Sequence, residues 1–111
     1  MRYRPFGKSG KVVSAISLLL REEGPFSNVA AWQATAIAGL ENGINYFELC
    51  AKSDALPAGV GAAISTLERR LVLLGWRITH QGRMPLTARV LIDSVQSGLN
   101  KTGAGYFDTL M

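Results

Sequence analysis

The sequence predicts an α/β fold in which a short hairpin is followed by a β-α-β-α-β-α-β series. Short, continuous apolar runs recur along the chain, and such runs are typical of buried parallel strands. Segments with apolar residues at helical spacing lie between these runs. The length of 111 residues, with 48% hydrophobic and 18% charged residues, fits a single globular domain over residues 1–111.

The N-terminal half contributes the hairpin, two strands and the first helix of this series. Residues 1–13 predict the hairpin, and the apolar run 14–20 predicts the strand after it. Helical spacing over 28–41 predicts the first helix, which Gly43 can close. The stretch GINYFELC, residues 43–50, predicts a buried strand with polar side chains at its far end.

The C-terminal half continues the alternation. Apolar residues at helical spacing predict a second helix over 57–69, and LVLLGW predicts a third buried strand over 71–76. Thr87 is a suitable N-cap for a third helix, which Gly103 would end. A fourth strand is predicted over 106–110.

Charge and cysteine content limit the classes of partner. The formal net charge of +4 is spread along the chain, so we expect no nucleic-acid partner. The apolar run 12–20 is too short to span a bilayer and is followed at once by charged residues, so we expect no membrane partner. The single cysteine, Cys50, rules out an internal disulfide and fits a reducing compartment, which predicts a cytoplasmic protein.

Several stretches, in the right order, resemble the N-terminal half of the aldo-keto reductases. They are MRYRPFGKSGKVVSAISL at the start, GLENGINYFE at 39–48, the glycine-containing segment 60–64 and SVQSGLNKTGAGYFD at 94–108. The resemblance covers almost the whole chain. It implies half of a TIM-barrel-like (β/α) barrel, in a family that reduces carbonyls with NADPH.

The same resemblance implies that the catalytic tetrad of Asp, Tyr, Lys and His is lost. Glu48 stands where the family has Asp, Ser53 where it has Tyr and Trp76 where it has Lys. The family's His lies beyond Met111, as does the half of the barrel that mainly contacts NADPH. Leucines also replace the small residues that often follow the family's first strand. We therefore expect a non-enzymatic protein with no cofactor and no metal.

An alternative is an enzyme or small-ligand-binding protein that reuses the strand-end face. Its candidate residues are Glu48, Cys50, Trp76 and His80. Cys50 could act as a nucleophile with His80 as base and Glu48 as the orienting carboxylate. No known motif surrounds these three residues, so a second interpretation without catalysis also accounts for them. In that interpretation Glu48 is a remnant of the family's site, Cys50 is a small buried apolar residue and His80 is a loop residue.

Open sheet edges predict self-association. A four-stranded piece of a barrel has two unpaired edges, here the apolar strands predicted at 14–20 and 106–110. Such edges pair readily with another chain. Because the chain stops before a fourth helix, the last strand would also be left partly uncovered. We therefore expect a homo-oligomer, with a homodimer favoured.

Overall fold

The computed structural model describes residues 1–22, 27–78 and 87–111. Its strands are β1 (Tyr3–Pro5), β2 (Val12–Ser14), β3 (Leu18–Arg21), β4 (Tyr46–Cys50), β5 (Leu73–Trp76) and β6 (Thr109–Leu110). Its helices are α1 (Val29–Glu41), α2 (Ala55–Ile64) and α3 (Ala88–Thr102), with a 3₁₀ turn over Arg69–Leu71. The predicted α/β class and the predicted order of hairpin, strands and helices are confirmed.

Four strands form one parallel sheet in chain order, β3-β4-β5-β6. The strands β1 and β2 form a separate antiparallel pair. Parallel neighbours need crossover connections, which α1, α2 and α3 supply. No helix within the described ranges is long and apolar enough to cross a bilayer.

Side chains on one face of the sheet pack against all three helices. Phe47 and Leu49 of β4 and Leu74 of β5 are fully buried there, and Trp76 of β5 is nearly so. They share one cluster with residues of α1 and α2, including Val60. Full burial of a side chain of this size contributes about 1.5–3 kcal/mol, so this cluster is the main source of stability.

Side-chain hydrogen bonds cap the starts of α1 and α3. The Asn28 side chain accepts a hydrogen bond from the N–H of Ala31 at 3.2 Å, and Thr87 accepts one from Val90 at 3.2 Å. Gly103 ends α3 with a left-handed φ of 67°. The predicted roles of Thr87 and Gly103 are thereby confirmed.

The strands β3 and β4 begin later than the apolar runs predict. Ser14 N–H donates to Asn45 Oδ1 at 2.7 Å, and Asn45 N–H donates to Ser14 Oγ at 3.1 Å. These side chains take the hydrogen bonds that a longer strand pair would use. The regular ladder therefore starts at Leu18 and Tyr46.

The second helix is also shorter than predicted, because Arg69 is held away from it. The Arg69 guanidinium donates to the carbonyls of Ala104 at 3.1 Å, Val72 at 2.5 Å and Tyr106 at 2.6 Å. These contacts fix Arg69 against the base of the sheet. The helix therefore ends at Ile64 rather than reaching Arg69.

Candidate functional site at the strand ends

Glu48 forms an ion pair on the face of the sheet that the helices do not cover. Glu48 pairs in register with Leu19 and Gly75, so its side chain alternates with the buried Phe47 and Leu49. Its carboxylate accepts a hydrogen bond at 2.8 Å from Arg77, which follows β5 directly. The Glu48 side chain is only 12% exposed. The carboxylate is therefore already matched with a cation.

The neighbouring side chains on this face are polar and hydrogen-bonded to each other. The hydroxyls of Tyr46 and Thr109 share a hydrogen bond of 2.7 Å across β5. This bridge passes over Gly75, where a Cβ atom would lie 2.5 Å from Thr109 Oγ1. Phe6 from the hairpin packs against the Tyr46 ring at 6.3 Å. A glycine in β5 is thus required for Tyr46 to reach β6.

The four candidate residues of the predicted ligand face do not all share one face. Cys50 follows Glu48 at the strand period of two and lies on the same side, where it is buried. Trp76 lies on the helix side, stacked on Phe107 at 5.1 Å, and its indole N–H donates to Ser94 at 3.0 Å. His80 lies outside the described residues.

Glu22 was missed by the sequence analysis, although it organises the loop after β4. Its side chain accepts hydrogen bonds from the N–H groups of Lys52 at 2.8 Å and Ser53 at 2.9 Å. It also accepts from the hydroxyls of Ser27 and Ser53, and Trp32 in turn donates to Ser27 at 2.7 Å. Burial would raise the pKa of Glu22, but these hydrogen bonds outweigh it and lower the pKa below its ordinary value.

The Ser53 hydroxyl is therefore held in position by Glu22 and is not free. Ser53 donates its proton to Glu22 and accepts the N–H of Ala55 at 3.2 Å. Glu22 comes directly after β3, so its carboxylate joins the end of β3 to the start of α2. An acidic residue just after a predicted strand was the available sequence signal for it.

A second network, also missed, lies at the opposite end of the sheet around Asp108. Its carboxylate accepts hydrogen bonds from Lys11 at 2.6 Å, Arg69 at 3.1 Å and the N–H of Leu74 at 2.9 Å. Both cations also lie over the Tyr106 ring, at 4.6 and 4.0 Å from its centre. The network fastens the hairpin to the base of the parallel sheet.

The described residues of the two acidic networks form no cluster that could hold a metal ion. Within residues 1–22, 27–78 and 87–111, no three His, Cys, Asp or Glu side chains come together in a way that could hold a metal ion. Both carboxylates are satisfied by N–H groups, hydroxyls and cations. Glu22 and Asp108 therefore hold neighbouring loops and strands in place through hydrogen bonds.

No family model matches the chain, and a search of curated proteins found no match either. The function must therefore be inferred from the geometry of the chain itself.

The alternative of a nucleophilic Cys50 leads to a direct prediction. Because Cys50 is only 6% exposed, its thiol should react with a colorimetric disulfide reagent slowly in the folded protein and rapidly in denaturant. We expect the native rate to be on the order of 100-fold below that of a Cys50→Ser, Lys8→Cys control, whose new thiol lies in the exposed hairpin turn. Equal native rates for the two thiols would favour a reactive cysteine.

Proposed function

We propose that this protein is a non-enzymatic, self-associating half-barrel in which two copies join through the edges of their parallel sheets. The observation that carries the proposal is the pair of open edges. Among the described residues, the backbone of β3 pairs as a strand only with β4, and the backbone of β6 only with β5. Unpaired N–H and C=O groups on both edges favour pairing with a further strand.

The two edge strands also carry exposed apolar side chains. Leu19 in β3 is 45% exposed, and Leu110 in β6 is 51% exposed. Met111, directly after β6, is 61% exposed. Covering these side chains would add apolar burial to the backbone hydrogen bonds gained at each edge.

A second copy fits these edges better than an unrelated strand does. A two-fold axis running along the strand direction keeps all strands parallel, so β6 of one copy meets β3 of the other. The same rotation satisfies both edges at once and stops assembly at the dimer. Two sheets of four strands give eight, which is the number in a closed (β/α) barrel. Leu19 and the Glu48–Arg77 pair would then face the interior.

The non-enzymatic part of the proposal draws on the resemblance to aldo-keto reductases. Glu48 and Arg77 would correspond to the family's carboxylate and cation, with Arg77 rather than Trp76 supplying the charge. Ser53 would stand at the position of the catalytic phenol, but its hydroxyl donates to Glu22. The Tyr46 phenol on this face is engaged with Thr109. This arrangement supports an ion pair kept for stability, and the hydroxyls of Ser53 and Tyr46 are both engaged in other hydrogen bonds.

Light scattering on a sizing column tests the assembly. We expect a mass of twice the chain mass of 12.0 kDa at concentrations on the order of 10 µM. Leu19→Lys and Leu110→Lys should shift the protein to monomer while leaving the fold intact, because both side chains are about half exposed. The matched control is Ile92→Lys, which changes a 60% exposed residue of α3 away from both edges.

A folded wild-type monomer across this concentration range would contradict the proposal. Loss of the dimer in Ile92→Lys as well as in the edge variants would place the interface elsewhere. Leu18 and Phe107 are unsuitable for this test, because both pack against the core and a lysine there would disturb folding itself.

A further inference from the structure

A small cavity of about 170 Å³ lies between α2 and α3, beside the carboxyl ends of β4 and β5. The Trp76 indole lines it from the sheet side, and Lys52, Ser94, Ser97 and Lys101 line it from the loop after β4 and from α3. The cavity is formed within one chain. It therefore does not depend on the proposed dimer.

The charged side chains that line this cavity are two lysines, and no acidic side chain lines it within the described parts of the chain. Glu22 lies behind the cavity wall, where the N–H groups of Lys52 and Ser53 and the hydroxyls of Ser27 and Ser53 satisfy its carboxylate. Lys101 pairs with Asp54 at 2.7 Å, but the Asp54 side chain is 80% exposed, so this pair is weakly held. Lys52 forms no ion pair with any described residue, and its ammonium group can turn toward an anion. A negatively charged ligand is therefore favoured.

Hydroxyl groups add hydrogen-bond donors to the two cations. Ser94 Oγ accepts the Trp76 indole N–H at 3.0 Å, which leaves the Ser94 proton free to donate. The Ser97 hydroxyl makes no hydrogen bond to another described residue. Two hydroxyl donors and two ammonium groups can together serve several oxygen atoms of one anion.

The size of the cavity narrows the class of anion. Sites for drug-sized ligands usually occupy about 300–1,000 Å³, so a cavity of about 170 Å³ would enclose one small group rather than a whole dinucleotide. A single phosphate group would fit, and its oxygens match the number of donors. We propose that this cavity binds a phosphate group, held by the ammonium groups of Lys52 and Lys101 and the hydroxyls of Ser94 and Ser97.

The indole N–H of Trp76 offers a direct probe, because it is bonded to Ser94 at the cavity wall. Inorganic phosphate would be titrated into ¹⁵N-labelled wild-type protein at constant ionic strength, with chloride as the balancing salt. The chain has two tryptophans, and a Trp32→Phe variant would assign the two indole signals. We expect a saturable shift of the Trp76 signal, with half-saturation at millimolar phosphate or below.

Two variants and a matched control test the assigned residues. The double variant Lys52→Gln, Lys101→Gln should weaken phosphate binding by at least about tenfold, which is the effect of losing about 1.4 kcal/mol of binding free energy. Ser97→Ala should weaken it by a smaller factor. Lys8→Gln, which removes a similar charge from the exposed hairpin turn, should bind as the wild type does.

A second titration distinguishes the source of the phosphate group. Ribose 5-phosphate that binds more tightly than inorganic phosphate would indicate a phosphomonoester ligand, whereas binding of inorganic phosphate alone would indicate the free ion. Ribose without phosphate should not bind. The proposal would be overturned by a Trp76 shift that does not saturate, or by undiminished binding in the double lysine variant.

Discussion

Gly61→Ala is expected to destabilise the protein by about 3 kcal/mol or more. A Cβ atom at Gly61 would lie 2.2 Å from the carbonyl oxygen of Thr102. That oxygen belongs to the α3 backbone, so it cannot rotate away as the end of a side chain could. The two helices would have to separate, and α2 packs against α1 on its other side.

The sign of this effect distinguishes packing from helix propensity. Alanine is favoured over glycine in a helix by about 1 kcal/mol, so propensity alone would make the variant more stable. Gly39→Ala in α1 is the matched control, because its Cβ would meet Leu18 Cδ1 at 2.9 Å and Phe47 Cε1 at 3.0 Å. These are side-chain atoms that can shift, so a smaller loss is expected.

Urea unfolding followed by circular dichroism would measure both variants, at one protein concentration because self-association would contribute to stability. A Gly61→Ala protein that equals or exceeds the wild type in stability would contradict the close contact between α2 and α3.

The order of the elements was predictable because each element carries its own local signal. Hydrophobic periodicity, the Thr87 cap and the left-handed Gly103 each act on residues close to them in the chain. The start of β3 was not predictable, because the Ser14 and Asn45 side chains that displace the ladder are 31 residues apart in the chain. Nothing local to either residue indicates the other.

The face of the sheet on which a candidate residue lies could be predicted only for residues of the same strand, because side chains alternate between the faces with a period of two. Glu48 and Cys50 are two residues apart in one strand, so they lie on one side of the sheet. Trp76 was grouped with them because it stands at the lysine position of the family that the chain resembles. An error of one residue in such an alignment moves a side chain to the other face of the sheet. Arg77 is the residue that reaches Glu48.

Asp108→Asn is expected to destabilise the protein by about 2–4 kcal/mol at neutral pH. The substitution removes the charge that pairs with Lys11 and Arg69, whose side chains are only 23% and 18% exposed. Both cations would remain partly desolvated without a counter-charge. The hairpin would lose the ion pair by which Lys11 attaches it to the base of the sheet. Asp93→Asn is the control, because Asp93 is 64% exposed and its pair with Arg89 spans 3.6 Å, so little change is expected.

The same variant should change the acid limb of the stability profile. Burial alone would raise the pKa of Asp108, but hydrogen bonds from Lys11, the Leu74 N–H and Arg69 hold that pKa below its ordinary value of 3.8. A carboxylate with a lowered folded-state pKa stabilises the fold above its unfolded pKa, and this contribution is lost as the pH falls through the folded value. The stability of the wild type should therefore decrease from about pH 4 downward.

Asp108→Asn should show a shallower decrease, with Glu22 still contributing in the same direction. Urea unfolding between neutral pH and the acid range would compare the two curves. If they stayed parallel down to the lowest pH at which both proteins fold, the carboxylate of Asp108 would not be the group that fastens the hairpin.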